Sequence, residues 1–304
     1  MGKDVRERKI YSMLNDFAFQ WLFNRPGQEK LTISLLNAIL QLDSSRRIEE
    51  LELLNPFHPR RFRDQKLTIV DVKARDKAGR WYCIEAQVHR QDAFVSRTAF
   101  YVASLYRDQA KAGSDYVALM PATCIAILDF DLFRQSKHVH EAFEFRNADG
   151  TLALAETMAL HYIDLTKYDI NKPRKLQSAF EKWLNLMKFS ETYGKLDVKI
   201  PGALTEEEPI NMAIKELQKI NADEKMRRRM ADREKEALDL AIIKGAVYNK
   251  GKEVGKIEGR TEGRAEGRAE EKFEIAKKML ALNADIEFIK QATDLTDEEL
   301  QKLT

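Results

Sequence analysis

The stretch Leu67–Gln87, which reads LTIVDVKARDKAGRWYCIEAQ, decides the fold that this sequence predicts. Two runs rich in β-branched and aromatic residues flank the turn-forming residues 76–79, a pattern typical of a β-hairpin. If the turn is centred on Ala78, each pair of facing residues has numbers that sum to 156, so Asp71 faces Glu85. The sequence therefore predicts two opposed carboxylates in the middle of a sheet.

Two acids in such a place need a common explanation. A buried carboxylate costs several kcal/mol to desolvate unless something pairs with it. Directly opposed Cβ atoms lie roughly 4.5–5.5 Å apart, so both acids stay ionised only if a cation lies between them. Oxygen ligands suit Mg²⁺ or Mn²⁺. The alternative is that one acid lies at a strand edge, or that Lys73 neutralises the pair in a structural salt bridge. Alternation along the strands places Lys73 and Gln87 on the same face as the acids.

The residues around the hairpin extend it into a mixed sheet flanked by helices. Apolar residues at helical spacing over 12–42, broken near residues 25–27, indicate two helices. A strand over 51–57 makes the hairpin a three-strand meander, and a helix over 92–112 leads to the apolar run 122–133. Strand, helix, strand implies a parallel crossover. Two further strands, 141–147 and 157–166, complete an α/β domain over residues 1–170.

The rest of the chain predicts an all-helical C-terminal extension. We divide it into a helical region (171–250), a glycine-repeat segment that is helical or flexible (251–272), and a small helical tail (273–304). On a helix, the glycines at every fourth residue form a slowly drifting stripe between acidic and basic stripes. Such a face permits close approach of a second copy, which predicts a homo-oligomer; a flexible tether is the alternative.

Composition narrows the class of protein. The chain has 304 residues, of which 44 % are hydrophobic and 33 % charged, with a net charge of +2. This balance does not by itself point to nucleic acid. Its two cysteines, Cys83 and Cys124, lie in apolar runs, as expected for buried residues of a reducing compartment. No apolar run approaches the roughly 18–20 residues of a membrane span, so we expect a cytoplasmic protein with no membrane partner.

Several motifs together resemble a known nuclease family. They are Asp71-x-Lys73, Asp76 and Gly79 in the turn, Ile84-Glu85-x-Gln87, Arg97 with Tyr101 and Tyr106, Gly113-x-Asp115-Tyr116, and Phe130-x-Leu132-Phe133. The ensemble resembles the recombination-promoting nuclease and putative transposase family of the PD-(D/E)XK nuclease superfamily. The resemblance covers about residues 10–170 and implies a PD-(D/E)XK nuclease-like mixed sheet.

The resemblance implies a role for each matching residue. Asp71 and Glu85 would hold Mg²⁺ together with the carbonyl of Ala86. Gln87 stands where the superfamily more often has lysine, and Asp16 matches an acid that often completes the site. No proline precedes Asp71, which departs from the superfamily pattern. Because glutamine cannot supply a cation or a proton, Lys73 is the candidate for that task beside Gln87.

The implied activity is a Mg²⁺-dependent DNA endonuclease that hydrolyses phosphodiesters without a covalent intermediate, in recombination or as a transposase-like protein. Arg97 is expected to reach a phosphate near the metal. Three arginines between the first two strands, Arg60, Arg61 and Arg63, are typical of a backbone-binding loop, although a solvated loop explains them equally well. The rival hypothesis is a catalytically weak nucleic-acid-binding adaptor that assembles through its helical C-terminal tail.

Overall fold

A computed structural model describes residues 8–55, 70–91, 93–110, 115–154, 156–169 and 176–303. The contacts between Cα atoms divide the chain into two compact units, residues 1–235 and residues 236–304. The first unit contains the sheet and its flanking helices. The second is all helical.

The order of elements follows the alternation that the sequence predicts. The strands are β1 (Leu51–Leu53), β2 (Val72–Asp76), β3 (Trp81–Gln87), β4 (Ala122–Leu128), β5 (His140–Glu144) and β6 (Met158–Asp164). The helices are α1 (Asp16–Phe23), α2 (Glu29–Leu40), α3 (Phe94–Arg107), α4 (Ala179–Lys188), α5 (Ser190–Tyr193), α6 (Gly202–Thr205), α7 (Glu208–Ala222), α8 (Glu224–Ala281), α9 (Ile286–Thr293) and α10 (Asp297–Gln301). The predicted mixed sheet flanked by helices, with an all-helical C-terminal extension, is confirmed.

The sheet has the strand order β1-β2-β3-β4-β6-β5. Strands β1, β2 and β3 form the predicted antiparallel meander, while β3, β4 and β6 run parallel. In the hairpin, Val72 pairs with Ile84 and Lys73 with Cys83. This is the predicted register, and its continuation by one residue places Asp71 opposite Glu85.

Two helical layers cover the two faces of the sheet. Helix α3 covers the face of Cys83 and Cys124, where Val102 and Leu105 complete a small core. The other face, with Ile84, packs in a larger core formed with helices that precede and follow the sheet in sequence. Alternation thus sends the even residues of β3 to the larger core and its odd residues, Glu85 and Gln87 among them, towards α3.

The helices after residue 170 share the larger core. Trp183 of α4 packs against Phe23 of α1 with ring centroids 5.6 Å apart, and its indole N–H donates to Ser34 Oγ at 3.1 Å. Leu217 of α7 is fully buried in the same cluster. The residues on both sides of the boundary expected near 170 therefore contribute to one hydrophobic core.

The second unit has a small core of its own. Ala276, Ile289, Leu295 and Leu300 are buried together. Helices α9 and α10 are joined by a short turn in which Asp294 adopts a left-handed conformation (φ 53°). Helix α10 begins with a capping box, in which Glu299 N–H donates to Thr296 Oγ1 and Glu299 Oε2 accepts from Thr296 N–H. The glycine repeat lies within α8, which is helical throughout.

Within the described part of the chain, no helix combines the length and apolar character that a membrane span requires.

Candidate active site

Asp71 lies where helix α1 meets the end of the hairpin. It directly precedes β2, and its Oδ2 accepts a hydrogen bond of 3.0 Å from the backbone N–H of Ala86 on β3. Its Oδ1 accepts from Nε2 of Gln20 at 3.4 Å. Asp16, the first residue of α1, lies near enough to repel the Asp71 carboxylate. The hairpin and α1 together hold this acid.

Glu85 lies in the middle of β3 and is only 7 % exposed. Its Oε1 accepts a charge-assisted hydrogen bond from the guanidinium of Arg97 on α3. Its other oxygen, Oε2, is buried and has no hydrogen-bond partner among the described residues. A carboxylate with one buried oxygen unsatisfied is costly, and such a group needs a functional or structural explanation.

Arg97 is the cation that contacts the site. Besides Glu85, its guanidinium donates to Oε1 of Gln87 at 2.9 Å and to Oε1 of Gln91. Its guanidinium carbon lies 4.9 Å from the ring centroid of Phe94 and 5.9 Å from that of Tyr101. Arg97, expected from the sequence to reach a phosphate, therefore lies against Glu85 and Gln87.

The electrostatics of the site disfavour its negative charge. Burial raises the pKa of Glu85 to about 7, although the Arg97 cation opposes this rise. Burial, followed by repulsion from Asp16, raises the pKa of Asp71 well above its ordinary value, although the Ala86 N–H lowers it in part. Burial and the Glu85 charge raise the pKa of Tyr101 to about 12. The site would hold its acids in ionised form more readily with an added cation.

Lys73 points to a different partner. Its Nζ lies 3.1 Å from Oδ2 of Asp108, at the end of α3, and 5.2 Å from the ring centroid of Trp81. In the sequence-based alternative, Lys73 neutralises the opposed acids in a structural salt bridge. The cation paired with Glu85 is Arg97 instead, because α3 crosses this face of the sheet.

The donor set fits a divalent cation with an incomplete protein shell. Among the described residues, no three histidine, cysteine, aspartate or glutamate side chains are grouped so that they could hold a metal ion alone. Two carboxylates with a backbone carbonyl are nevertheless a normal partial shell for Mg²⁺, which keeps several waters. The unsatisfied Oε2 of Glu85 and the mutual repulsion of the acids support such a site.

Sequence reasoning did not single out Gln20, Asn24 or Gln91. Gln20 and Asn24 follow Asp16 at intervals of four residues. This spacing places Asp16, Gln20 and Asn24 on one face of α1. That spacing was the available signal. Gln91 lies in the connection before α3 and carries no such pattern. The predicted DNA-binding residues Arg60, Arg61 and Arg63 lie outside the described residues.

Two protein-family models match parts of the chain. Residues 13–245 match the model of the PD-(D/E)XK nuclease family transposase, which covers about three quarters of the chain. The chain belongs to this family. Residues 269–304 match a second model, the C-terminal HTH domain of the Rpn/YhgA-like nuclease family. Searches of curated proteins and of solved structures gave no significant match.

The family assignment agrees with the resemblance drawn from the motifs. It also identifies the small helical tail expected over residues 273–304 as part of a helix-turn-helix domain, formed here by the end of α8 with α9 and α10. Membership in this nuclease transposase family supports a role in nucleic-acid cleavage or DNA binding.

Proposed function

We propose that this protein is a Mg²⁺-dependent DNA endonuclease that hydrolyses phosphodiester bonds in recombination or transposition-like reactions. The observation that carries the proposal is the buried Oε2 of Glu85, which has no hydrogen-bond partner among the described residues, beside Asp71, whose carboxylate accepts from the Ala86 N–H at 3.0 Å. Burying this carboxylate oxygen without a partner lowers the stability of the fold, and an apolar side chain at the same position would avoid that desolvation cost. The carboxylate is therefore better explained by a function than by stability.

The metal ligands in this proposal are the carboxylates of Asp71 and Glu85 and the carbonyl of Ala86. Mg²⁺, or Mn²⁺ in its place, supplies Lewis-acid activation of water and neutralises charge on the scissile phosphate when bound. Asp16 adds a third negative charge that favours a cation over a neutral ligand. The Gln20 amide orients Asp71 by donating to its Oδ1.

Arg97 and Gln87 are positioned for the phosphate. The Gln87 oxygen accepts from Arg97, which leaves its NH₂ group as the end that donates to a water or to a phosphate oxygen. With Glu85 holding the metal ion, Arg97 would present its guanidinium to a phosphate as a fork of donors. Lys73, held by Asp108, takes the role of a more distant positive charge.

DNA contacts in this proposal belong to the nuclease unit. They are made by Arg97 and by Arg60, Arg61 and Arg63, which lie between the first two strands in sequence. The HTH residues 269–304 carry nine acidic and five basic side chains, and the first turn of α10 contains Asp297, Glu298 and Glu299. In DNA-binding HTH domains, this N-terminal part of the second helix contacts base edges. Three acids there oppose phosphate binding.

The decisive experiment compares Glu85→Gln with the wild type in a plasmid-nicking assay at millimolar Mg²⁺. We expect cleavage to fall by several orders of magnitude while DNA affinity changes within a few-fold, because the Glu85 carboxylate acts on the metal and on the transition state. Glu52→Gln is the matched control, since Glu52 on β1 forms an exposed ion pair with Arg75 at 2.6 Å. Cleavage that survives Glu85→Gln contradicts the assignment.

One observation favours the adaptor as a second candidate function. The Arg97 guanidinium already pairs with Glu85, and a cation in this place competes with a metal ion. An adaptor would retard DNA in a gel but would leave the plasmid intact at every Mg²⁺ or Mn²⁺ concentration. The endonuclease proposal requires metal-dependent nicking by the wild type.

We also propose self-association through the C-terminal helical segment. At Gly251, Gly255, Gly259, Gly263 and Gly267, a Cβ atom would meet no atom of the described chain within 4 Å. A second copy could therefore approach this face closely. Light scattering of the full chain should give a mass above that of a monomer, and replacing Gly259, Gly263 and Gly267 with leucine should lower it. A monomer at micromolar concentration and low salt would exclude this association.

A further inference from the structure

We infer that Asn24 and Asn55 are positioning residues that hold the backbone of Asp71 in the geometry that metal binding requires. Both side chains act on main-chain groups and not on the reacting atoms. The inference rests on the proposed function, because it concerns the same cation site.

Strand pairing stops just before it reaches Asp71. The last paired residues of β1 and β2 are Leu53 and Ala74, and the Leu54 N–H then donates to the Lys73 carbonyl at 2.7 Å. Asp71 itself precedes the first residue of β2. Regular pairing with β1 therefore cannot fix the backbone that carries this acid.

The Asn55 side chain continues the pairing where the strand β1 ends. Its Oδ1 accepts from the Lys73 N–H at 2.6 Å, and its Nδ2 donates to the Val70 carbonyl at 3.2 Å. One side chain thus binds the backbone on both sides of Asp71. This arrangement replaces two ladder hydrogen bonds with a rigid amide group.

Asn24 ties this segment to helix α1. It caps the C-terminus of α1 and is 1 % exposed. Its Nδ2 donates to the Asp71 carbonyl at 2.7 Å and to the Asn55 carbonyl at 2.8 Å. Since Gln20 on the same helix donates to the Asp71 carboxylate, α1 contacts both the main chain and the side chain of this acid.

The clamp formed by Asn24 and Asn55 opposes a force that the site itself creates. Asp16 and Glu85 both repel the Asp71 carboxylate, so without restraint the segment would move Asp71 away from Glu85. A metal ligand must stay within about 0.5 Å of its productive position for full affinity. Supporting hydrogen bonds of this kind are typically worth about 10–100-fold in metal affinity.

The test compares Asn24→Leu with Asn37→Leu in the full chain. Asn37 on α2 makes a similar clamp far from the acids in sequence, with its Nδ2 donating to the Ile48 carbonyl at 2.8 Å and its Oδ1 accepting from the Ile48 N–H at 2.9 Å. Leucine has a similar shape and lacks the amide, so each variant loses two hydrogen bonds, and both should have a lowered Tm. Mn²⁺ binding is measured directly by the loss of the free-ion paramagnetic resonance signal.

We expect Asn24→Leu to weaken Mn²⁺ binding about 10–100-fold, whereas Asn37→Leu should change it by no more than about twofold, because the Asn37 amide binds the backbone of Ile48 and not that of Asp71. Equal Mn²⁺ affinities of the two variants would overturn the inference. If Asn24→Leu does not fold, the inference is tested by two variants of Asn55. Asn55→Asp keeps the acceptor for the Lys73 N–H and should bind Mn²⁺ more tightly than Asn55→Leu, and equal binding by these two would again overturn it.

The wild type separates this inference from the proposed function. A wild type that binds no Mn²⁺ and cuts no DNA overturns the proposed function and the clamp with it. A wild type that binds Mn²⁺, beside an Asn24→Leu variant that binds it equally well, overturns the clamp alone.

Discussion

Two of the acidic clusters of the chain lie in opposite environments. In the nuclease unit, Asp71 and Glu85 face each other beside Asp16, with Glu85 almost completely buried. In the HTH unit, Asp297 and Glu298 are exposed at the start of α10, where Lys290 Nζ lies 3.0 Å from Asp297. The carboxylate of Glu85 is therefore shielded from water, whereas those of Asp297 and Glu298 are solvated.

The difference supports the proposal that the acids of the nuclease unit, and not the exposed acids of α10, hold a cation. Exposed ion pairs such as that of Lys290 contribute little to stability and weaken with salt. A buried, partly unsatisfied carboxylate costs far more, and a protein keeps it where a ligand can offset the cost. This reasoning favours the proposed cation site in the nuclease unit.

The largest expected difference between the two clusters is in their response to pH. The folded pKa of Glu85 is about 7, above its unfolded value of about 4.3. The folded state therefore binds this proton more tightly than the unfolded state. The contribution of Glu85 to the free energy of unfolding is fully present below about pH 4.3 and is lost as the pH rises through 7. For metal-free protein, we expect Glu85→Gln to gain about 3–4 kcal/mol relative to the wild type between these pH values.

Denaturant unfolding in the presence of a chelator measures this change. Glu298→Gln is the comparison variant, since the Glu298 side chain is exposed and substitution of an exposed side chain usually changes stability little. A Glu85→Gln profile parallel to that of the wild type would contradict the buried, raised acid.

The next largest effect is stabilisation by Mg²⁺. An ion that binds only the folded state at 100 times its Kd adds about 2.7 kcal/mol to the free energy of unfolding. Asp71→Asn should remove most of this gain. Asp76→Asn, at the far end of β2, should keep it, because Asp76 pairs with Arg80 at 2.6 Å and with the Tyr82 hydroxyl at 3.0 Å. Thermal unfolding with and without Mg²⁺ checks both variants, and equal gains in the two would defeat the assignment of Asp71.

The smallest expected effect concerns DNA affinity. Replacing Arg60, Arg61 and Arg63 with alanine should weaken binding and reduce the slope of log K against log salt by about one unit for each phosphate that the protein no longer binds. The double variant Asp297→Asn with Glu298→Gln should change the affinity by less than about threefold, because a repelled helix makes no phosphate contact to improve. Fluorescence anisotropy at several salt concentrations distinguishes the two. A large gain from the double variant would show that the HTH unit lies on the DNA.

The parts of the fold that depend on local chemistry could be predicted from the sequence. The turn at 76–79 and the alternation of β2 and β3 fix the hairpin register, and the register in turn brings Asp71 opposite Glu85. The break between α1 and α2 follows from Pro26 and Gly27. The φ of Gly27 is 84°, a left-handed conformation that glycine adopts without strain.

The rest depends on how elements pack, which local spacing does not specify. The rotation of α3 against the sheet decides that Arg97 meets Glu85 while Lys73 meets Asp108. An apolar helical stripe likewise shows that Trp183 is buried but not that it packs on Phe23. For the HTH domain, the sequence pattern predicts only a plain helical tail, because the last helix has just five residues.

The two cysteines allow local opening of the sheet to be measured. Cys83 and Cys124 face each other across the parallel strands β3 and β4, and both are buried as free thiols. A thiol reagent can reach them only when this part of the sheet opens, so the rate of labelling measures the rate or extent of that opening. Because the chain contains no other cysteine, the signal belongs to the strand that carries Glu85 and to its parallel neighbour. Slower labelling in Mg²⁺ would therefore report on the cation site without any nuclease assay.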